Sequence, residues 1–185
     1  MRRIITILLI GFTVLSCQHS TDSFYNITQE EYINPNILSL FVFMSPECPL
    51  CENYTKDFTE MRQSYSKDSL QIYGVFSGEK LYTEQQILKF KSKYKLNMDF
   101  VLDKDYQIAK YFKAEVTPEC FLVDTNGMIV YSGKLDNWLE KLGRRRKTVS
   151  QFYVKDAITS VFRGDTIKVK RTEAIGCLLQ YPANK

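Results

Sequence analysis

The stretch Ile37-Leu-Ser-Leu-Phe-Val-Phe-Met44 constrains the fold more than any other part of the chain. It is almost unbroken apolar sequence, rich in branched and aromatic residues, and Pro35 and Pro46 bound it. Apolar residues at both alternating positions predict a strand buried on both faces, which belongs in a sheet covered by helices on each side. The following residues agree. Across 50–66, Tyr54, Phe58, Met61 and Tyr65 recur at helical spacing. Leu70 to Phe76 reads as a second strand. Thr83 ahead of Glu84, Gln85 and Gln86 reads as a helix N-cap, with Ile87, Phe90 and Tyr94 on the inner stripe. Phe100 to Leu102 is a short strand and Tyr106 to Phe112 a short helix.

The pattern then changes. Cys120 to Val123 and Met128 to Tyr131 flank Asp124-Thr-Asn-Gly127, whose Asn-Gly pair signals a hairpin turn. Arg144 to Lys147 reads as a solvated loop, with an anionic contact patch as its functional alternative. Val149 to Phe162 is the last helix, stopped by Gly164. Ile167 to Val169 and Cys177 to Leu179 are short extended pieces. This order predicts an α/β fold: a central mixed sheet flanked by helices, with a C-terminal helix and tail. At 185 residues and 44% hydrophobic content, the chain has the size of one ordinary domain plus appendages.

The first residues are expected to be a targeting segment rather than part of that domain. Arg2 and Arg3 precede an apolar run, Ile4 to Leu15, too short to span a bilayer comfortably. The run ends in Val14-Leu15-Ser16-Cys17, which resembles a bacterial lipobox. On this reading residues 1–16 are a signal peptide and Cys17 carries the lipid. Residues 17–34 are a polar tether, and residues 35–185 form the folded domain. An ordinary secretory signal with a chance cysteine is the alternative. A lipidated Cys17 would hold the protein to a membrane of the cell envelope, facing the periplasm. The absence of Asp after Cys17 fits the outer membrane. Without Arg2 and Arg3 the chain holds 23 basic against 21 acidic residues, too even a balance to argue for nucleic acid.

Export permits disulfide chemistry, and Cys48-Pro49-Leu50-Cys51 stands where that chemistry is favoured. The pair directly follows the buried strand and opens a helix, where unpaired N–H groups and the positive end of the helix dipole stabilise a thiolate. The first cysteine is expected to be exposed at the tip, with the second one turn on, able to resolve a mixed disulfide. Pro49 fits an early helical position, where its missing N–H costs nothing. Zinc would need two more ligands, and the only histidine, His19, lies in the tether. A purely structural disulfide would close a small, strained loop. No cofactor is expected, because the chain has no GxGxxG, no P-loop and no histidine cluster.

Together with Thr117-Pro118 just before the next strand, this arrangement resembles the thioredoxin-like superfamily, closest to its redoxin and thiol–disulfide oxidoreductase branch. The resemblance covers residues 37–139. Leu142-Gly-Arg-Arg-Arg146, Asp156-Ala157, Gly164 and Thr172-Glu-Ala-Ile-Gly-Cys177 also resemble a tail of bacterial redoxin-domain proteins. The resemblance implies Cys48 as nucleophile, Cys51 as resolving thiol and Pro118 as a cis-proline that exposes Thr117 to an extended substrate. It implies a disulfide-bearing client protein and an upstream membrane electron donor as partners. Pro46-Glu47-Cys48-Pro49-Leu50-Cys51 stands where thioredoxin has Trp-Cys-Gly-Pro-Cys, so redox potential and substrate preference do not carry over.

With Cys17 assigned to lipid and Cys48 and Cys51 to the active pair, Cys120 and Cys177 remain. They are expected to bridge and pin the tail across the sheet. Two buried free thiols, or a second redox relay, are the alternatives. Glu47 and Glu119 lie near the thiols in sequence. Negative charge there would oppose thiolate formation and favour a reductase over an oxidant, unless both point into water. Two rival functions stay open. A thiol peroxidase would use the Ser45 hydroxyl three residues before Cys48, although Phe41 stands where a peroxiredoxin has proline. A copper(I)-binding or non-enzymatic module would use the two thiolates without catalysis.

Overall fold

A computed structural model describes residues 36–78 and 81–182, so the expected signal segment, Cys17 and the tether lie outside the described residues. Strand β1 (Leu38–Phe43) is buried along its whole length, as its unbroken apolar sequence requires. It runs parallel to β2 (Leu70–Ser77), which runs parallel to β3 (Asp99–Asp103). After the short β4 (Val116–Thr117), β5 (Glu119–Val123) pairs with the other edge of β1, antiparallel. β6 (Ile129–Gly133) closes the hairpin, giving a five-stranded mixed sheet of order β3-β2-β1-β5-β6. Asp124 accepts the N–H groups of Asn126 and Met128 at 2.9 and 2.8 Å, and Gly127 takes φ +77°, so the Asp-Thr-Asn-Gly turn forms as read.

The two faces of the sheet are covered unequally. Helices α1 (Pro49–Asn53), α2 (Thr55–Ser64), α3 (Glu84–Tyr94) and α5 (Tyr153–Arg163) bury Phe58, Ile87, Phe90 and Ile158 against Leu40, Val42 and Leu122. On the other face α4 (Gln107–Phe112) packs Ile108 and Phe112 against Phe41, Phe43 and Phe121, with Leu179 of the tail in the same cluster. The alternation of side chains along β1 divides these cores, even-numbered residues on one face and odd on the other. Thr83 and Gln86 form the expected reciprocal cap of α3. Asp103 caps α4, accepting the Ile108 and Ala109 N–H groups at 3.1 and 2.9 Å.

Three sequence expectations change. The single helix across 50–66 is broken at Tyr54, which turns inward and donates to Asp136 at 2.8 Å. The basic run at 144–147 is not a plain loop. β7 (Leu139–Lys141) and β8 (Arg144–Arg145) pair around Gly143, and Arg144 and Arg146 both reach Glu140. Of the two extended pieces near the end, only Cys177–Leu178 becomes a strand, β9, paired antiparallel with β4.

Candidate active site

The end of β1 delivers the chain into a tight turn, Ser45-Pro46-Glu47, which sets the first cysteine at a helix start. The Cys48 N–H donates to the Ser45 carbonyl at 3.2 Å, and the Glu47 N–H to the Ser45 hydroxyl at 3.2 Å. Cys48 is the N-cap of α1 and Pro49 its first residue, as the sequence predicts. Cys51 falls two residues further, fully buried, where its sulfur accepts the Ser45 N–H at 3.5 Å. Burial pushes the Cys51 thiol up to about 12, and the Ser45 hydrogen bond offsets only part of this.

Thr117 and Pro118 come to the same place from the other side. The peptide bond between them is cis, and the Thr117 carbonyl oxygen lies 3.1 Å from Cys48 Sγ. The loop before β5 is therefore the second wall of the site. Glu119 does not point into water. Its carboxylate accepts the Glu115 and Val116 N–H groups at 2.8 and 3.3 Å, steadying the approach to the cis bond, while burial raises its pKa. Glu47 is exposed. The two carboxylates thus do not form a negative collar around the thiols.

The third wall was not foreseen. Cys48 is joined by a disulfide to Cys177, 129 residues away, with 6.2 Å between the Cα atoms. The expected Cys120–Cys177 bridge is absent: Cys51 and Cys120 are both free and buried. Register explains the difference. Cys120 lies inside β5 between Val42 and Gly133, whereas Cys177 lies opposite Thr117, at the end of the sheet where Cys48 sits. Burial, with the Glu119 charge next, pushes the Cys120 thiol well above its ordinary value. Cys48, expected at an exposed tip, is only 1% accessible because the tail covers it.

The tail is tied at several points. The Ser132 N–H donates to the Lys170 carbonyl at 3.0 Å, and the Thr172 N–H donates to the Ser132 carbonyl at 2.9 Å. The Thr172 hydroxyl accepts the Lys134 N–H at 2.8 Å and pairs with the Tyr131 hydroxyl at 2.8 Å. Beyond the disulfide, the Leu179 N–H donates to the Glu115 carbonyl at 2.8 Å and the Tyr181 hydroxyl to the Ala114 carbonyl at 2.6 Å. The signals for this strap were present in the sequence: a glycine before a cysteine, then Leu179 and Tyr181 as anchors. Nothing local in them named Cys48 as the partner.

The Cys48 sulfur thus sits beside the edge of β4, and the tail strand β9 occupies that edge. A model of the AhpC/TSA family matches residues 10–132. No curated protein matches the chain. Among solved structures, a hypothetical protein of Sinorhizobium meliloti 1021 superimposes with a TM-score of 0.71 at 21% identity, covering 84% of this chain and 85% of that one. An uncharacterized conserved protein of Geobacillus kaustophilus also gives 0.71, at 17% identity, covering 84% and 82%. A thioredoxin-like protein in its oxidized form gives 0.56 at 17% identity, covering 76% and 87%. The shared fold is thioredoxin-like.

Proposed function

Because the chain belongs to the AhpC/TSA family, we propose that it is a thiol–disulfide oxidoreductase that reduces client-protein disulfides through Cys48. The observation that carries this reading is the seat of Cys48: an N-cap sulfur 3.1 Å from the Thr117 carbonyl, bonded to a cysteine in a strand paired with Thr117. A client cysteine in an extended segment would approach along the same edge. Its main chain would pair with Thr117, and its disulfide would meet the Cys48 thiolate in line. Pro118 keeps that edge open, since it has no N–H to divert the pairing. Cys51 stands behind Cys48 as the internal thiol of the motif.

Membrane anchoring through Cys17, a client in the envelope and an electron donor upstream complete the proposal. The donor is a dithiol protein or membrane carrier that returns two electrons after each cycle. A peroxidase or a copper(I) module would use the same Cys48 sulfur, but the strand that pairs with Thr117 beside that sulfur favours an extended polypeptide as the partner there.

The test is reduction of a disulfide-bearing peptide by catalytic protein, with dithiothreitol as electron source. Wild-type protein should accelerate the reaction and Cys48→Ser should lose the acceleration entirely. Equal rates in the two would end the reading. Stoichiometric consumption of hydrogen peroxide by the reduced protein, without peptide reduction, would replace it with the peroxidase.

A further inference from the structure

We infer that Cys177 is the thiol that resolves the mixed disulfide on Cys48, and that the Gly176-Cys177 strand does so by taking the departing client's place on Thr117. The inference rests on the oxidoreductase reading above. A sulfur holds one disulfide at a time. If Cys48 attacks clients, the Cys48–Cys177 bond must open first, so it cannot be a permanent bolt.

The fit of the strand is specific. Thr117 pairs with Cys177 and Val116 with Leu178 in antiparallel register. The Thr117 hydroxyl donates to the Cys177 carbonyl at 3.5 Å. Gly176 presses on the same peptide: a β-carbon there would stand 2.2 Å from the Thr117 carbonyl oxygen and 2.7 Å from its carbon. Leu178, in contrast, is 80% accessible. The strand is therefore held by its backbone and its sulfur rather than by side-chain packing, which is how an exchangeable occupant is bound. Thr172 on one side and Leu179 on the other keep Cys177 near Cys48 after the bond opens, so its return is intramolecular.

The chemistry balances without an added oxidant. The Cys48 thiolate attacks a client disulfide, forming a Cys48–client bond and releasing one client thiolate, which takes a proton from water. The Cys177 thiolate then attacks the Cys48 sulfur. The Cys48–Cys177 bond forms, the Cys48–client bond breaks, and the second client thiolate leaves. The client disulfide has gained two electrons and the Cys48/Cys177 dithiol has lost them. Cys51 is less suited to this step: it is sealed from solvent and its thiol is held protonated by burial.

The test is a single turnover of reduced full-length protein with a disulfide peptide, acid-quenched, alkylated and mapped by mass spectrometry. Wild type and Cys51→Ser should both yield Cys48–Cys177 linked peptides. Cys177→Ser should accumulate the Cys48–client mixed disulfide, with a lifetime at least about tenfold longer. Gly176→Ala, which keeps every thiol, should lengthen that lifetime in the same direction. Resolution at the wild-type rate in Cys177→Ser, with trapping in Cys51→Ser instead, would overturn the inference while leaving the oxidoreductase reading intact. Absence of any mixed disulfide on Cys48 in all variants would overturn both.

Discussion

Gly176 lies flat against Thr117: there is no room for a single carbon between the glycine and the carbonyl oxygen that also touches the Cys48 sulfur. The closeness of this contact decides what can lie along the edge. Gly176→Ala should force the two main chains apart and destabilise the oxidised protein by about 1–3 kcal/mol, the range for overpacking a tight contact. Urea unfolding measures this, and an unchanged midpoint would mean that the tail is not pressed onto Thr117.

The same contact predicts a preference among clients. A peptide with glycine before its reactive cysteine should be reduced faster than one with valine there, by about tenfold for a clash of roughly 1.4 kcal/mol. Competition between the two peptides in one reaction provides the comparison. Equal rates would show that clients do not adopt the register of the tail.

Reducing the Cys48–Cys177 bond releases a constraint that spans 129 residues. Loop-closure entropy sets the gain from a cross-link of that span at about 5 kcal/mol at most, and typical losses are about 2–4 kcal/mol. Thermal melting with and without reductant should show the lower midpoint in the reduced form. Cys177→Ser should melt like the reduced wild type and be insensitive to reductant.

Thr172→Val removes the acceptor for the Lys134 N–H and the partner of the Tyr131 hydroxyl. Stability should fall by about 1–3 kcal/mol. Amide exchange should quicken at Leu179 as well as at Thr172 if the strap moves as one piece. Exchange confined to 172 would show that its two ends act independently.

Alkaline pH should destabilise the oxidised protein. Burial raises the Cys51 thiol to about 12 and raises Cys120 in the same direction, while in the unfolded chain both ionise near the ordinary thiol value. Above that value the unfolded state binds fewer protons, so stability is complete below about pH 8.5 and is lost as pH rises toward the folded values. Each thiol contributes a slope of about 1.4 kcal/mol per pH unit. Tyr54 and Tyr131, raised by burial too, add to the fall above their ordinary range. Cys51→Ala should halve the slope between about pH 9 and 10, as read by urea titration with the Cys48–Cys177 bond intact.

Much of this was legible in the sequence, because it rests on local chemistry. The apolar run at 37–44 could only be a central strand. Thr83 with Gln86 capped its helix, Asp124 to Gly127 made the turn, and the cysteine pair fell at a helix start. The disulfide was not legible. Its pairing depends on the path of residues 170–181, and that path is set by main-chain contacts to Ser132 and Thr117, which carry no periodic signature. Counting cysteines correctly paired Cys177 with something, but only the register of β9 against β4 chooses Cys48 over Cys120. The break at Tyr54 was hidden likewise, because Asp136, which turns that side chain inward, lies 82 residues away.

Leu179 belongs to the core on the α4 face, although the disulfide it follows packs with the core on the opposite face of the sheet. The strap is pinned at Thr172 and again at Leu179, on both sides of Cys177. If Cys48 serves clients as proposed, the room such a doubly moored strap can yield is that of one extended segment. Cysteines in unfolded stretches or projecting loops would then be reached, and a disulfide set deep in a folded surface would not. The length of the strap would sieve clients by conformation, before any side chain is read.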